Sequence, residues 1–293
     1  MPHPIPAHLL SLDPDLTLAA QAAEAAGAVI RDGYGRMHSV ERKGVGDLVS
    51  DIDRRADRAA LEVLRSGSCA EILSEELNPN LPAGQSPAAI SDLWIVDPLD
   101  ATSAFLMHVG PQYPSVLIAR RRGGRTHAGV AYFPLTGEWF YAVEMLGAFK
   151  NGAPLTAPSE QPLLADSWVE MNPYGEAALE TEFFTHCRAA LRSPAGAGLV
   201  TAGVPNAGIG LRCLEGLSHL ALVVHDNRPQ SVKQGPWDIA AVQLIVEEAG
   251  GVMLSPRLER TCPFRAEPIL IAPHRGLIEE VINLVGQPQT LTA

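Results

Sequence analysis

Apolar and polar positions along this chain follow two periods, and the change from one to the other organises it. Over residues 16–30, alanines and aliphatic residues recur at helical spacing, and residues 53–64 repeat the pattern with Ala56, Ala59, Ala60, Val63 and Leu64. Strand-like runs follow near Ile72 and at 94–96, 115–119, 127–132 and 139–143, the later ones separated by short turns. That spacing predicts an antiparallel meander with helices packed on it. After Asn151-Gly152, the Pro- and Ala-rich run 154–162 reads as a crossover. Beyond it, strands at 168–171, 198–200, 220–224, 252–254 and 269–271 alternate with helices at 177–191, 211–217, 237–249 and 277–284. The expectation is an α+β half over residues 1–153 and an α/β half over 154–293.

One segment carries chemistry. The apolar run Trp94-Ile95-Val96 ends in Asp97-Pro98-Leu99-Asp100, two carboxylates three positions apart, and then Ala101-Thr102-Ser103-Ala104-Phe105. Asp and Pro are poor interior strand residues, so the strand is expected to stop at or near Val96. Pro98 fixes one φ angle and removes a backbone donor, giving a stiff turn that can aim both carboxylates and the Leu99 carbonyl at one point. Hard cations such as Mg²⁺ take all-oxygen surroundings of this kind. A strand-to-helix turn with a capping Asp explains the same residues taken alone.

Three further acidic segments extend the pattern. Asp47, Asp51 and Asp53 fall within seven residues before the second helix, and Ile72-Leu73-Ser74 ends in Glu75-Glu76. Gly235-Pro236-Trp237-Asp238 opens the helix at 237–249. Pro236 suits a first helical turn, which puts Asp238 where the helix dipole favours an anion, although simple capping is the plainer role for that residue.

In order, these segments resemble the inositol monophosphatase family, Mg²⁺-dependent and often lithium-sensitive phosphatases whose superfamily includes the bisphosphate nucleotidases. The family's W-[IV]-[IV]-D-P-[IL]-D-G-T-x-N-F is Trp94 to Phe105 here, and its G-E-E is Ser74-Glu75-Glu76. Its D-L-V-T-x-x-D is Asp47 to Asp53, and its W-D-x-A-A…E-A-G-G is Trp237 to Gly251. The likeness runs from about Lys43 to Gly251. It implies a layered αβαβα sugar-phosphatase fold, α+β and α/β subdomains with the site between them. It implies that Glu75, Asp97 and the Leu99 carbonyl hold one Mg²⁺, and that Asp97, Asp100 and Asp238 hold a second. Two or three ions are expected in all, with Glu76 supporting the set or holding a weak third.

Asp53, Thr102 and Glu75 form the implied catalytic set, with Asp53 and Thr102 orienting the attacking water. Phosphate is expected against the backbone of Ala101, Thr102 and Ser103, with Gly210 and Lys233 near the substrate. The implied reaction is hydrolysis of a small soluble phosphate monoester: an inositol phosphate, a nucleotide 3′-phosphate or a sugar phosphate. The alternative is a catalytically weak member that binds phosphorylated metabolites or a partner. The residue types fit the chemistry, since unit charges about 4 Å apart interact by roughly 4 kcal/mol at an effective dielectric near 20. Five converging carboxylates make sense mainly around divalent ions.

The departures concern small residues. The family's Gly after the second Asp is Ala101, its Asn before Phe is Ala104, and the first Gly of its G-x-G-A turn is Met145. A required positive φ at Ala101 would strain the backbone. Ser231 stands where inositol-hydrolysing members place a Glu, which weakens inositol phosphate as the substrate. Lys43 is a further candidate for the phosphate or metal site, and a lone His108 reads as structural.

Composition narrows the remaining classes. With 293 residues, 46% hydrophobic and 19% charged, the chain is globular, and its formal net charge of −11 argues against binding a phosphate backbone. Arg120-Arg121-Arg122 with Arg125 reads as a solvated hairpin turn. Cys69, Cys187, Cys213 and Cys262 form no C-x-x-C pair and read as reduced, partly buried thiols of a cytoplasmic protein. Neither a signal peptide nor a membrane span is legible, and the resemblance leaves a homodimer possible.

Overall fold

The computed structural model describes residues 5–44, 47–76, 86–174, 176–202, 208–225 and 235–286. Helices α1 (Ala7–Leu12) and α2 (Pro14–Gly33) precede a hairpin of β1 (Val40–Gly44) and β2 (Asp47–Ser50), then α3 (Asp51–Gly67). A seven-stranded sheet follows, formed by β3 (Glu71–Ser74), β4 (Leu93–Asp100), β5 (Ser115–Arg122), β6 (Arg125–Phe133), β7 (Glu138–Val143), β8 (Gly147–Lys150) and β9 (Ala153–Leu155), with α4 (Thr102–Met107) after β4. These strands lie in chain order, β3 parallel to β4 and the rest antiparallel.

The second sheet has five strands, β10 (Trp168–Tyr174), β11 (Leu199–Ala202), β12 (Leu220–His225), β13 (Val252–Leu254) and β14 (Ile269–Ala272). Their order is β11-β10-β12-β14-β13. Four helices accompany them: α5 (Glu182–Leu191), α6 (Gly208–Leu214), α7 (Pro236–Glu248) and α8 (Arg275–Val285).

The strands of the first sheet read as continuous apolar runs because both faces are covered. Trp94, Val96, Ile118 and Tyr132 pack with the alanine stripe of α2 and with α3, while their neighbours Ile95, Leu117 and Ala131 pack with α6 and α7. The inner face of the second sheet (Val223, Ile271) closes that same middle core, and its outer face (Val169, Leu222, Leu270) packs with α5 and α8. The layers are therefore αβαβα, as the resemblance implies. Two glycines let a helix approach the first sheet closely, one on each face. A Cβ on Gly27 of α2 would lie 2.4 Å from the Tyr132 ring, and one on Gly129 of β6 would lie 3.1 Å from the backbone of Ala241 in α7.

Several expectations need correction. Strand β4 does not stop at Val96; it runs on to Asp100. Its pairing with β5 passes from Asp97↔Leu117 to Asp100↔Ser115, so β4 carries one extra residue, a bulge that holds Pro98 where no ladder hydrogen bond is lost. The crossover begins later than residue 154, because Pro154 and Leu155 pair with β8 as part of β9. The helix expected at 177–191 is a short 3₁₀ turn, Glu176–Glu180, followed by α5, which Thr181 caps through a hydrogen bond from the Phe184 N–H. Helix α6 starts and ends three residues before the expected 211–217.

The arginine run is not uniformly solvated. Arg120 is buried, pairs with Asp15 and Asp92 and stacks 5.0 Å from the Trp94 ring; only Arg122 and Arg125 lie out at the turn. Cys187 and Cys213 are buried, whereas Cys69 and Cys262 are exposed. No described helix is long and apolar enough to cross a membrane.

Candidate metal and active site

The bulge in β4 creates the centre of the site. In a regular strand, positions 97 and 100 point to opposite faces; one extra residue reverses the parity and brings both carboxylates to one side. Asp238, in the first turn of α7, meets them there. One carboxylate oxygen from each of Asp97, Asp100 and Asp238 lies within 4.8 Å of the other two. Each is held from behind. Asp97 Oδ1 accepts the Leu99 N–H at 3.0 Å, and Asp100 Oδ2 accepts the Ser115 hydroxyl at 2.8 Å. Asp238 Oδ2 accepts the Gly235 N–H at 2.6 Å and Oδ1 the Tyr174 hydroxyl at 3.4 Å.

Glu75 follows β3, whose parallel pairing with β4 carries its N–H to the Val96 carbonyl at 3.1 Å. Its carboxylate interacts with Asp97 and accepts the Lys43 ammonium at 3.1 Å; the same ammonium is hydrogen-bonded to Glu76. Burial alone would lower the Lys43 pKa, but the two glutamates outweigh it and raise it. Burial pushes Glu76 up to about 7, against the pull of Lys43.

Asp53 sits at the start of α3, where Ser50 caps the helix and donates from both N–H (2.8 Å) and hydroxyl (2.5 Å) to Asp53 Oδ2. Its Oδ1 accepts the Thr102 hydroxyl at 2.6 Å; the Leu99 carbonyl lies 3.1 Å from the same hydroxyl, whose single proton can serve one acceptor at a time. Burial raises the Asp53 pKa more than these hydrogen bonds lower it.

Electrostatics favour a bound cation. Asp97 and Asp238 are raised well above the ordinary carboxylate range, first by burial and then by the charges of Glu75 and Asp100, with Asp238 adding to Asp97. The partly buried Tyr174 phenol is raised by the desolvation of its hydroxyl and by all four carboxylates. An all-oxygen donor set whose charges are unfavourable without a counter-ion fits a hard divalent cation.

Among the other candidates, Ala101 adopts φ 64°, ψ 44°, the left-handed conformation, immediately before Thr102 and Ser103 open α4. Ala104 is fully buried. Gly210 lies inside α6, where a Cβ would sit 3.2 Å from both Val242 and Ile271, so its small size serves packing. Lys233 and Ser231 lie outside the described residues. Sequence reasoning misses Ser50, Ser115 and Tyr174. The S-x-x-D spacing of Ser50 and Asp53 is a capping-box signal; Ser115 and Tyr174 meet their aspartates only through tertiary structure.

A sequence profile of the inositol monophosphatase family matches residues 11–289. The chain belongs to that family. It is 30% identical over 287 residues to the Nus factor SuhB of Haemophilus influenzae, covering 94% of this chain and 96% of the relative. It is 32% identical over 248 residues to the histidinol-phosphatase of Chlorobaculum parvum, covering 82% and 85%. The crystal structure of the extragenic suppressor protein suhB from Bartonella henselae shares the fold at a TM-score of 0.79 and 24% identity, over 94% of this chain and all of that one.

Proposed function

We propose that this chain hydrolyses a small phosphate monoester with Mg²⁺. The observation that carries the proposal is the convergence of Asp97, Asp100 and Asp238, carried to one point by the β4 bulge and the first turn of α7. In this reading residues 1–153 supply Glu75, Asp97, the Leu99 carbonyl and Asp100, and residues 154–293 supply Asp238. Two or three bound Mg²⁺ ions would make water more acidic and neutralise charge on the leaving oxygen.

The remaining work falls to the chain itself. The Thr102 oxygen has lone pairs free to accept a proton from water while its own proton is held by Asp53 Oδ1. A carboxylate raised by burial is the better base for that transfer. The first backbone N–H groups of α4, at Thr102 and Ser103, have no intrahelical acceptor and suit phosphate oxygens.

The substrate is tested by phosphate release from inositol phosphates, histidinol phosphate, nucleotide 3′-phosphates and sugar phosphates, with Mg²⁺ and with EDTA. One preferred ester, inert in EDTA, is the expected result. A second reading, a weakly active member that binds phosphorylated metabolites or a protein partner, is favoured by the alanine at the left-handed position 101 and by the Nus factor name of the Haemophilus relative. Silence across the panel in protein that binds Mg²⁺ would select it.

A further inference from the structure

We propose that Tyr174 is a positioning residue for the metal centre, its hydroxyl holding Asp238 in the orientation that lets it share a divalent cation with Asp97 and Asp100. The inference rests on the reading of these aspartates as metal ligands and extends it to a residue from the opposite sheet. Tyr174 is the last residue of β10, and its ring packs against the middle core between the two sheets. An aromatic side chain anchored in this way has few rotamers, so its hydroxyl is a fixed donor rather than a mobile one.

That donor meets Asp238 Oδ1 at 3.4 Å, while the Gly235 N–H meets Oδ2 at 2.6 Å. The Gly235 contact, in which the Asp238 side chain accepts the N–H of the residue before α7, ties the carboxylate to the start of the helix. One contact leaves the carboxylate free to turn about it; the second, on the other oxygen, fixes the plane. The lone pairs not used by these donors are then left to face Asp97 and Asp100. Tyr174 also carries the influence of the second sheet into the centre. β10 is an interior strand of that sheet, paired with both β11 and β12, and α7 reaches the seven-stranded sheet through Gly129. A hydroxyl on β10 therefore fixes a ligand on α7 relative to ligands on β4.

Partners that orient a ligating group in this way are worth about 10- to 100-fold in metal affinity or activity. The experiment is calorimetric titration of Mg²⁺ into the metal-free full chain, wild type and Tyr174→Phe, alongside thermal melts and the Mg²⁺ dependence of phosphate release. Tyr174→Phe removes the hydroxyl and keeps the ring. The expected result is Mg²⁺ affinity about 10- to 100-fold weaker, an unchanged melting temperature without metal, and a kcat largely recovered at high Mg²⁺ with substrate KM unmoved. Tyr174→His, which keeps a ring donor, recovers part of the affinity and provides the comparison if the Phe variant melts early. Affinity in Tyr174→Phe within twofold of a wild type that binds Mg²⁺ overturns this role and leaves the metal centre standing. A wild type that binds no Mg²⁺ overturns both.

Discussion

Two non-glycine residues of this chain occupy backbone conformations that its family motifs give to glycine. Ala101 has φ 64° and Met145 φ 66°. The left-handed region costs a residue with a Cβ about 1–2 kcal/mol. Met145 is compensated in part, since Glu248 accepts the N–H groups of Met145 and Gly147 at 2.9 Å each and so holds the turn. Ala101 lies beside Asp100 and Thr102 and has no such side-chain clasp at the helix start. Ala101→Gly is predicted to raise the melting temperature slightly, release of strain outweighing the added freedom of the unfolded chain, and to keep or raise the rate of phosphate release. A sharp loss of activity would show that the methyl is needed.

Asp53 makes a separate prediction. Its carboxylate is engaged by Ser50 and Thr102 and lies apart from the aspartate trio, so Asp53→Asn should lower kcat about 10²- to 10⁴-fold and leave substrate KM within a few-fold. Steady-state kinetics decides it, and an unchanged kcat would remove Asp53 from the proton path.

At the scale of elements, the strands and helices with long regular periods are legible in the sequence, and their ends are not. β4 shows why. Asp and Pro argue for a stop at Val96, but pairing with β5 continues because the bulge accommodates Pro98, and the same bulge unites Asp97 with Asp100. The carboxylates were legible as a motif; the device that makes them converge belongs to the pairing of two strands. β1 and β2 escape pattern reading because Val-Glu-Arg-Lys-Gly is mostly polar, yet this hairpin delivers Lys43 to Glu75 and Glu76.

The contact between α7 and β6 is likewise invisible in either segment alone. It depends on Gly129, with Ala241 backbone atoms 3.1 Å from where a Cβ would stand. Gly129→Ala should push α7 from the sheet, lowering stability by about 1–3 kcal/mol and, through Asp238, weakening Mg²⁺ binding. Thermal melts and metal titration read the two effects together. A variant as stable as wild type would mean the helix shifts freely.

At the scale of the whole molecule, the site occupies the junction of the layers, where Asp97 and Asp100 from one sheet, Asp238 from the central helix and Tyr174 from the other sheet meet. Such a gathering opposes folding when no cation is present. The folded-state pKa values of Asp97 and Asp238 are raised, so above about pH 4, where an unfolded Asp has lost its proton, the unfolded chain binds fewer protons than the folded one. Stability of the metal-free protein should therefore fall as pH rises from about 4 towards neutrality, and Asp97→Asn should make that fall shallower. Melting temperatures in EDTA across this range test the sign. A metal-free wild type that gains stability over the same interval would contradict the repulsion.

The most direct test is phosphate release by wild type and Asp97→Asn on the preferred monoester, each in saturating Mg²⁺ and in EDTA. The metal-centre reading predicts turnover only for wild type with Mg²⁺. Turnover by wild type in EDTA, or by Asp97→Asn at the wild-type rate, would contradict it.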